Sequence, residues 1–281
     1  MMNSWGIDVS RWQGNFNFEK AKAEGITFAI LKAGGGDAGL YKDGKFERNY
    51  SECARLNIPV GAYFFGQAMT TTQAMKEAEY FCSLIQGKTY PVKVWYDVEA
   101  KMLKAANLST IVLTFIERVR AAGYDCGIYA SESTIKTLRS KNTAIDRYPH
   151  WVARWTKTPP TVPTDIWQFG GETNLIRSNK VAGQVVDQNY CYFEIGAEGP
   201  STPVVIPAPT TETEEYNMPT IKKGSTGKAV KIWQIIIGAT ADGVFGPITE
   251  ANTRKWQKAN GLTVDGVVGP KTWKVALNSI K

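Results

Sequence analysis

Five strand-like apolar runs alternate with five helix-like runs, and then the alternation stops. That change of rhythm narrows the folds open to this chain more than any other feature. The strand runs are residues 6–10, 28–34, 60–66, 92–99 and 126–131; the helix runs are 18–24, 46–56, 72–85, 108–122 and 133–140. Gly25, Gly87 and Gly123 follow three of the helices, and Asn57 with Pro59 ends another, where stop signals belong. Residues 150–155, 166–169 and 185–193 then read as strands with no long helix between them. Five strand–helix units followed by three strands predict an α/β fold, an incomplete TIM-like (β/α)5(β)3 barrel over residues 1–198.

A barrel of this kind carries its chemistry at the C-terminal ends of its strands. The fourth strand run, VKVWYDVE at 92–99, ends in two carboxylates two residues apart, so Asp97 and Glu99 share one face while Val94, Tyr96 and Val98 fill the other. Close carboxyls raise one another's pKa, which is how an acid stays protonated near neutrality. The plainer reading is a strand end whose acids cap a loop or meet basic side chains. Asp8 falls near the end of the first strand and Asp187 in the last, which closes against the first. Four carboxylates from three strands therefore converge on one mouth. Tyr63, Phe65, Tyr129, Trp155 and Trp167 lie near strand ends and are candidate platforms for a pyranose face, although for each alone packing in the core or against a helix is the commoner role of a barrel aromatic.

Other chemistries are poorly supplied. His150 is the only histidine and stands at a strand entrance, where packing suits it, so neither a zinc site nor a histidine-based triad is expected. Cys53, Cys82, Cys126 and Cys191 are scattered and read as buried free thiols. No cofactor or metal is called for, no run of apolar residues is long enough to insert in a membrane, and no signal peptide is read at the start.

Residues 199–219, GPSTPVVIPAPTTETEEYNMP, have no helical or alternating pattern and read as a Pro/Thr/Glu-rich linker. Residues 220–281 contain a repeat, DGVFGPIT at 242–249 and DGVVGPKT at 265–272, each an Asp-Gly turn followed by Gly-Pro opening a helix. A small three-helix α domain follows, with helices at 229–237, 248–260 and 270–280 around Trp233, Trp256 and Trp273. Residues 219–281 hold 10 Lys and Arg against 3 Asp and Glu, which suits a polyanionic partner. The basic residues are dispersed and no groove-reading motif appears, so nucleic acid is not the expected one.

The first 195 or so residues resemble family 25 glycoside hydrolases, the Chalaropsis-type muramidases. The resemblance rests on GIDVS at 6–10 with Trp12, AILKA at 29–33, GAYFF at 61–65, YDVE at 96–99, GIY at 127–129, WVARW at 151–155, WQ at 167–168 and VD at 186–187. Gly34 to Gly36, where the family often has Thr-Glu-Gly, and Phe64, at a site commonly His, depart from it. The last 60 or so residues resemble the type 1 peptidoglycan-binding domain, through GSTG at 224–227, Val230, WQ at 233–234 and 256–257, GL at 261–262 and the two repeats, with Trp233 and Trp256 at positions more often Leu and Phe.

The resemblance implies a lysozyme acting on bacterial peptidoglycan between N-acetylmuramic acid and N-acetylglucosamine. Glu99 would be its acid/base, Asp97 its partner on the substrate N-acetyl group, and Asp8 and Asp187 the rest of the mouth. A wall-binding module without a signal peptide implies a phage endolysin, made in the host cytoplasm and released through a holin to the wall, where anionic wall polymers are further candidate partners. A bacterial autolysin and a catalytically inactive wall-binding protein are the alternatives. Met218 follows Glu214 and Glu215, whose codons can spell a ribosome-binding sequence. It is either a chance methionine or an internal start releasing a free binding module that associates with the full-length chain.

Overall fold

The computed structural model describes residues 4–37, 39–196 and 218–279, and the chain divides into two compact units, Met1–Ile206 and Pro207–Lys281. Most of the linker read at 199–219, including Glu214 and Glu215, lies outside the described residues.

In the larger unit the strands are β1 (Ser4–Val9), β2 (Phe28–Gly35), β3 (Tyr41–Lys42), β4 (Val60–Phe65), β5 (Val94–Asp97), β6 (Cys126–Ser131), β7 (His150–Ala153), β8 (Ile166–Gly170), β9 (Lys180–Val181), β10 (Gln184–Val185) and β11 (Asp187–Cys191). The helices are α1 (Phe18–Ala23), α2 (Phe46–Arg55), α3 (Thr71–Ile85), α4 (Leu108–Ala121) and α5 (Glu132–Lys141). Eight of the strands close a barrel in the order β1-β2-β4-β5-β6-β7-β8-β11, with β11 pairing back onto β1. All are parallel except β11, which runs antiparallel to both neighbours. The fold is the expected α/β barrel of five strand–helix units and three further strands. The two-residue strand β3 beside β2 and the β9–β10 ribbon were not expected, since two residues carry no period to read.

Strand alternation sorts the side chains into two layers. Phe28, Ile30, Trp95, Tyr129, Trp151, Ile166 and Cys191 fill the barrel interior. Ile7, Leu31, Ala62, Phe64, Val94, Tyr96 and Ile128 point outward into the larger core under the helices, which contribute Phe81, Phe115 and Ile116. Burying this layer supplies the main driving force, at roughly 25 cal/mol per Å² of apolar surface. Phe64 packs on Phe81 and Phe115, so the departure at this position belongs to the helix side rather than the mouth. The helices begin where side chains can cap them: Asn17 accepts from the Lys20 amide, Thr70 from Gln73 and Ser131 from Thr134. All four cysteines are buried and free, and His150 is buried with its ring nitrogens 3.1 and 3.3 Å from the carbonyls of Pro163 and Ile145.

The smaller unit holds α6 (Lys228–Ile236), α7 (Pro247–Ala259) and α8 (Pro270–Ser279), the last two opened by proline as read from the repeat. Trp233 lies edge-on to Trp256 and Trp273, at 5.1 and 5.4 Å between ring centroids. Gln234 Nε2 donates to Asp242, the Val244 carbonyl and Thr249, while its Oε1 accepts from the Gly243 amide. Gln257 repeats the set 23 residues on, with Asp265, Val267, Thr272 and Gly266. The repeated motif therefore builds two like turns around two buried amides. Among the described residues no helix is long and apolar enough to cross a membrane.

Candidate active site

Four carboxyls meet at the C-terminal mouth of the barrel because β1 and β5 end there and the antiparallel β11 begins there. Asp8 is the next-to-last residue of β1 and stands opposite Asp187, the first residue of the antiparallel β11. Asp97 closes β5, level with Phe65 on one side and Tyr129 on the other. The sheet ends there, two residues earlier than the sequence suggested. Val98 still donates its amide to the Tyr129 carbonyl, and Glu99 keeps an extended backbone (φ −139°, ψ −175°), so the alternation carries its side chain toward Asp97's face. Ala100, with φ +48°, then turns the chain sharply into a 3-10 helix. Behind the site, outward-facing Tyr96 stacks on Phe115 at 3.6 Å and donates to buried Glu77 at 2.6 Å, which pins the strand carrying Asp97.

The four environments differ. Asp8 Oδ2 accepts from Asn189 Nδ2 at 2.8 Å and Gln168 Nε2 at 3.1 Å. Burial pushes Asp8 up to about 6 against those two bonds, and Asp187 up to about 8 with help from the charge of Asp8. Asp97 is buried, and its Oδ1 has no hydrogen-bond partner. Burial, then the Glu99 charge, raises its pKa well above the ordinary carboxylate value. Burial also raises Glu99, opposed by the charge of Lys32 and a hydrogen bond with Tyr129. Not all four can be ionised near neutrality.

Among the residues singled out from sequence, Tyr63, Phe65 and Tyr129 also face this mouth, and Trp155 stands at its rim, 40% exposed. Tyr63 packs edge-on to Trp151, and its phenol feels the charges of Asp8, Asp97 and Asp187. Trp167 does not join them. On β8 the interior positions are taken by Ile166 and Gln168, so Trp167 points outward, packs edge-on to Phe169 and tilted against Tyr190, and donates to the Arg154 carbonyl. That placement corrects the reading of Trp167 as a sugar platform.

The sequence reading passed over Lys32, Gln168 and Asn189. Lys32 follows Phe28 and Ile30 on the inward face of β2, and its Nζ lies 4.5 Å from the Phe65 ring and 5.9 Å from that of Tyr63. Burial lowers its pKa while Asp97 draws it back up. The period of two from Phe28 was the signal that could have found it. Trp12, just after β1, is 77% exposed beneath the Arg11 guanidinium. Among the described residues no group of His, Cys, Asp and Glu is placed to hold a metal ion.

Carboxylates line the barrel mouth and aromatic rings stand around it, and comparison with known families places the chain that carries them. Residues 7–176 match the family described as Glycosyl hydrolases family 25, and the chain belongs to it. Residues 226–275 match the Putative peptidoglycan binding domain. Among curated proteins the chain is similar to Lysozyme M1 of Streptomyces globisporus, 32% identical over 198 residues covering 66% of each. It is 25% identical over 165 residues to the Autolytic lysozyme of Clostridium acetobutylicum, covering 58% of this chain and 49% of that one. The match thus spans less than two thirds of the length of these relatives. Among solved structures, the CTP1L endolysin matches with a TM-score of 0.58 and 25% identity over 68% of this chain and 67% of that one. The bacterial lysozyme of Streptomyces coelicolor gives 0.57 and 28% over 69% and 94%.

Proposed function

We propose that this protein is a lysozyme that cleaves the β-1,4 bond between N-acetylmuramic acid and N-acetylglucosamine in bacterial peptidoglycan, with the smaller unit holding it to the wall. The observation that carries the reading is the buried, unpartnered Asp97 Oδ1 beside Glu99. A buried carboxylate oxygen without a donor is costly, and an arriving N-acetyl N–H supplies that donor. The bond favours ionised Asp97 and leaves the shared proton on Glu99, where an acid is needed.

The reaction follows from those positions. Glu99 gives its proton to the glycosidic oxygen as the bond to the anomeric carbon breaks. The N-acetyl carbonyl oxygen attacks that carbon, and Asp97 holds the amide N–H while positive charge spreads onto the ring so formed. Water then opens the ring, giving its proton to the Glu99 carboxylate. Two acids leaving a single strand suit this substrate-assisted course better than a carboxylate nucleophile across the sugar from its acid. Asp8, kept ionised by two amide donors, lies where it stabilises the developing cation, and protonated Asp187 beside it adds no competing charge. Tyr63, Phe65, Tyr129 and Trp155 offer the sugar faces their contacts.

The similarity to the CTP1L endolysin favours a phage endolysin that reaches the wall through a holin, with a bacterial autolysin of the same chemistry as the second reading. The test is digestion of N-acetylated peptidoglycan by the wild type and by Glu99→Gln, with new reducing ends identified by mass spectrometry. Reduced muramic acid ends from the wild type alone are the expected result. Reduced glucosamine ends overturn the bond assignment, and no ends with wall binding intact mark an inactive binding protein.

A further inference from the structure

Trp12 stands 77% exposed just past the end of β1, and a lone exposed aromatic needs no explanation. Two features set this one apart. The first is that the turn carrying it is fixed at three points. Ser10 Oγ accepts the Trp12 amide at 3.3 Å, Gln13 Oε1 accepts the Ser10 amide at 2.9 Å, and the Arg11 amide donates at 3.0 Å to Asp43 Oδ2. Asp43 is buried and its other oxygen accepts the Lys45 amide, so the loop before α2 anchors the turn.

The second feature is a line of alternating cations and rings that joins Trp12 to the mouth. The Arg11 guanidinium carbon lies 5.0 Å from the Trp12 ring centroid and 5.4 Å from that of Tyr41. Lys32 Nζ lies 5.9 Å from the Tyr41 ring and continues the line inward to Tyr63 and Phe65. Each step is within cation–π reach, so each cation helps to fix the rings on either side of it. The three glycines at 34–36, a departure from the family pattern, make room for the middle ring. A Cβ on Gly34 would stand 2.2 Å from the Tyr41 carbonyl oxygen, and one on Gly35 would stand 2.8 Å from the Tyr41 hydroxyl. With side chains there, Tyr41 could not lie against β2 as it does, and Arg11 would lose its second ring.

We propose that Trp12 is the outer end of a glycan-binding track: the open face of its indole stacks on an N-acetylhexosamine ring of the strand, beyond the bond that is cleaved. The proposal rests on the lysozyme reading for the nature of that strand. Arg11 covers one face of the indole and leaves the other to solvent, which is what a flat pyranose face fits. Because the turn is already ordered, little conformational freedom is lost when the sugar arrives. Trp12 touches no reacting atom, so it holds substrate and transition state alike and acts on KM rather than kcat. Its contribution appears only with strands long enough to reach it.

The test uses the full chain and stem-free peptidoglycan glycans of four and eight sugars. In the wild type, kcat/KM is expected to be higher for the octasaccharide. Trp12→Ala is expected to reduce the ratio of the two values about three- to tenfold, through KM, and Trp12→Phe to keep most of it. An unchanged ratio in Trp12→Ala overturns the proposal. So does a loss seen only with strands that keep their peptide stems, which would assign the indole to the stem instead. If the wild type cleaves neither glycan, the lysozyme reading falls and binding decides the platform. Calorimetric titration of the octasaccharide into Glu99→Gln, with and without Trp12→Ala, is expected to show the same three- to tenfold loss, on the order of one stacking contact. The smaller unit is identical in both proteins and cancels from the comparison. Equal affinities overturn the platform whatever the fate of the lysozyme reading.

Discussion

Asp8 and Asp187 face one another directly across the antiparallel ladder of β1 and β11, two carboxyls on the same inward face. Like charges directly opposed on paired strands repel, more so when buried. The two amide donors on Asp8 decide which one carries the charge: Asp8 sits at about 6 and Asp187 at about 8. At neutral pH the pair is an ionised Asp8 beside a protonated Asp187.

This pair makes the barrel less stable as pH rises. Both carboxyls hold their protons more tightly in the fold than at the ordinary value of 3.8, so their contribution is complete below that pH. It is lost progressively as pH climbs through about 6 and about 8. Calorimetry between about pH 5 and about pH 9 is expected to show the barrel's Tm falling, and Asp187→Asn is expected to flatten the decline. An equally steep decline in Asp187→Asn would show that its proton is not held by the fold.

Gly171 guards the same carboxyl. A methyl group there would collide with Asp187 Oδ1 and stand 2.9 Å from Trp155 Cη2. Gly171→Ala is expected to lower kcat/KM at least about tenfold and stability by about 1–3 kcal/mol, because Asp187 or the rim tryptophan must move. Gly44→Ala, where nothing lies within 4 Å of the added atom, is the control and is expected to leave turnover unchanged. Equal turnover in both variants would show that the position of Asp187 is not critical.

Lys32 opposes the upward push on Asp97 and Glu99. Replacing it by methionine raises both carboxyls. If Asp97 must ionise and Glu99 must stay protonated, both limbs of the pH–rate profile move up together. A bell displaced to higher pH by about half a unit or more, with kcat/KM at the original optimum reduced about 10- to 100-fold, is expected. Movement of one limb alone would show that Lys32 serves only one of the two acids.

The barrel was legible because five helices with clear ends separate five apolar runs, and the acidic set because barrel chemistry collects at strand ends. Trp167 was misplaced by reading the motif WQ as a pair rather than by its period: with Ile166 inward, Gln168 has to be inward and Trp167 outward. Lys32 was passed over for the same reason. The triangle of Tyr129, Trp155 and Gln168 was beyond reach, since it joins β6, the end of β7 and β8 through side-chain bonds that no local pattern specifies.

In the smaller unit the repeat assigns equal work to two buried glutamines. Gln234 and Gln257 each donate to an aspartate, a carbonyl and a threonine, and each accept from a glycine amide. Truncating either to alanine strands a buried Gly N–H and removes the tie between a helix and its following turn. Each substitution is expected to cost about 2–4 kcal/mol, a large part of what so small a core can supply. Calorimetry of the full chain should then show the smaller unit's transition lowered and wall binding reduced, with turnover of soluble glycan fragments unchanged. If Gln257→Ala left that transition in place while Gln234→Ala lowered it, the first turn alone would hold the three helices together, and the second repeat would be free to serve the ligand instead.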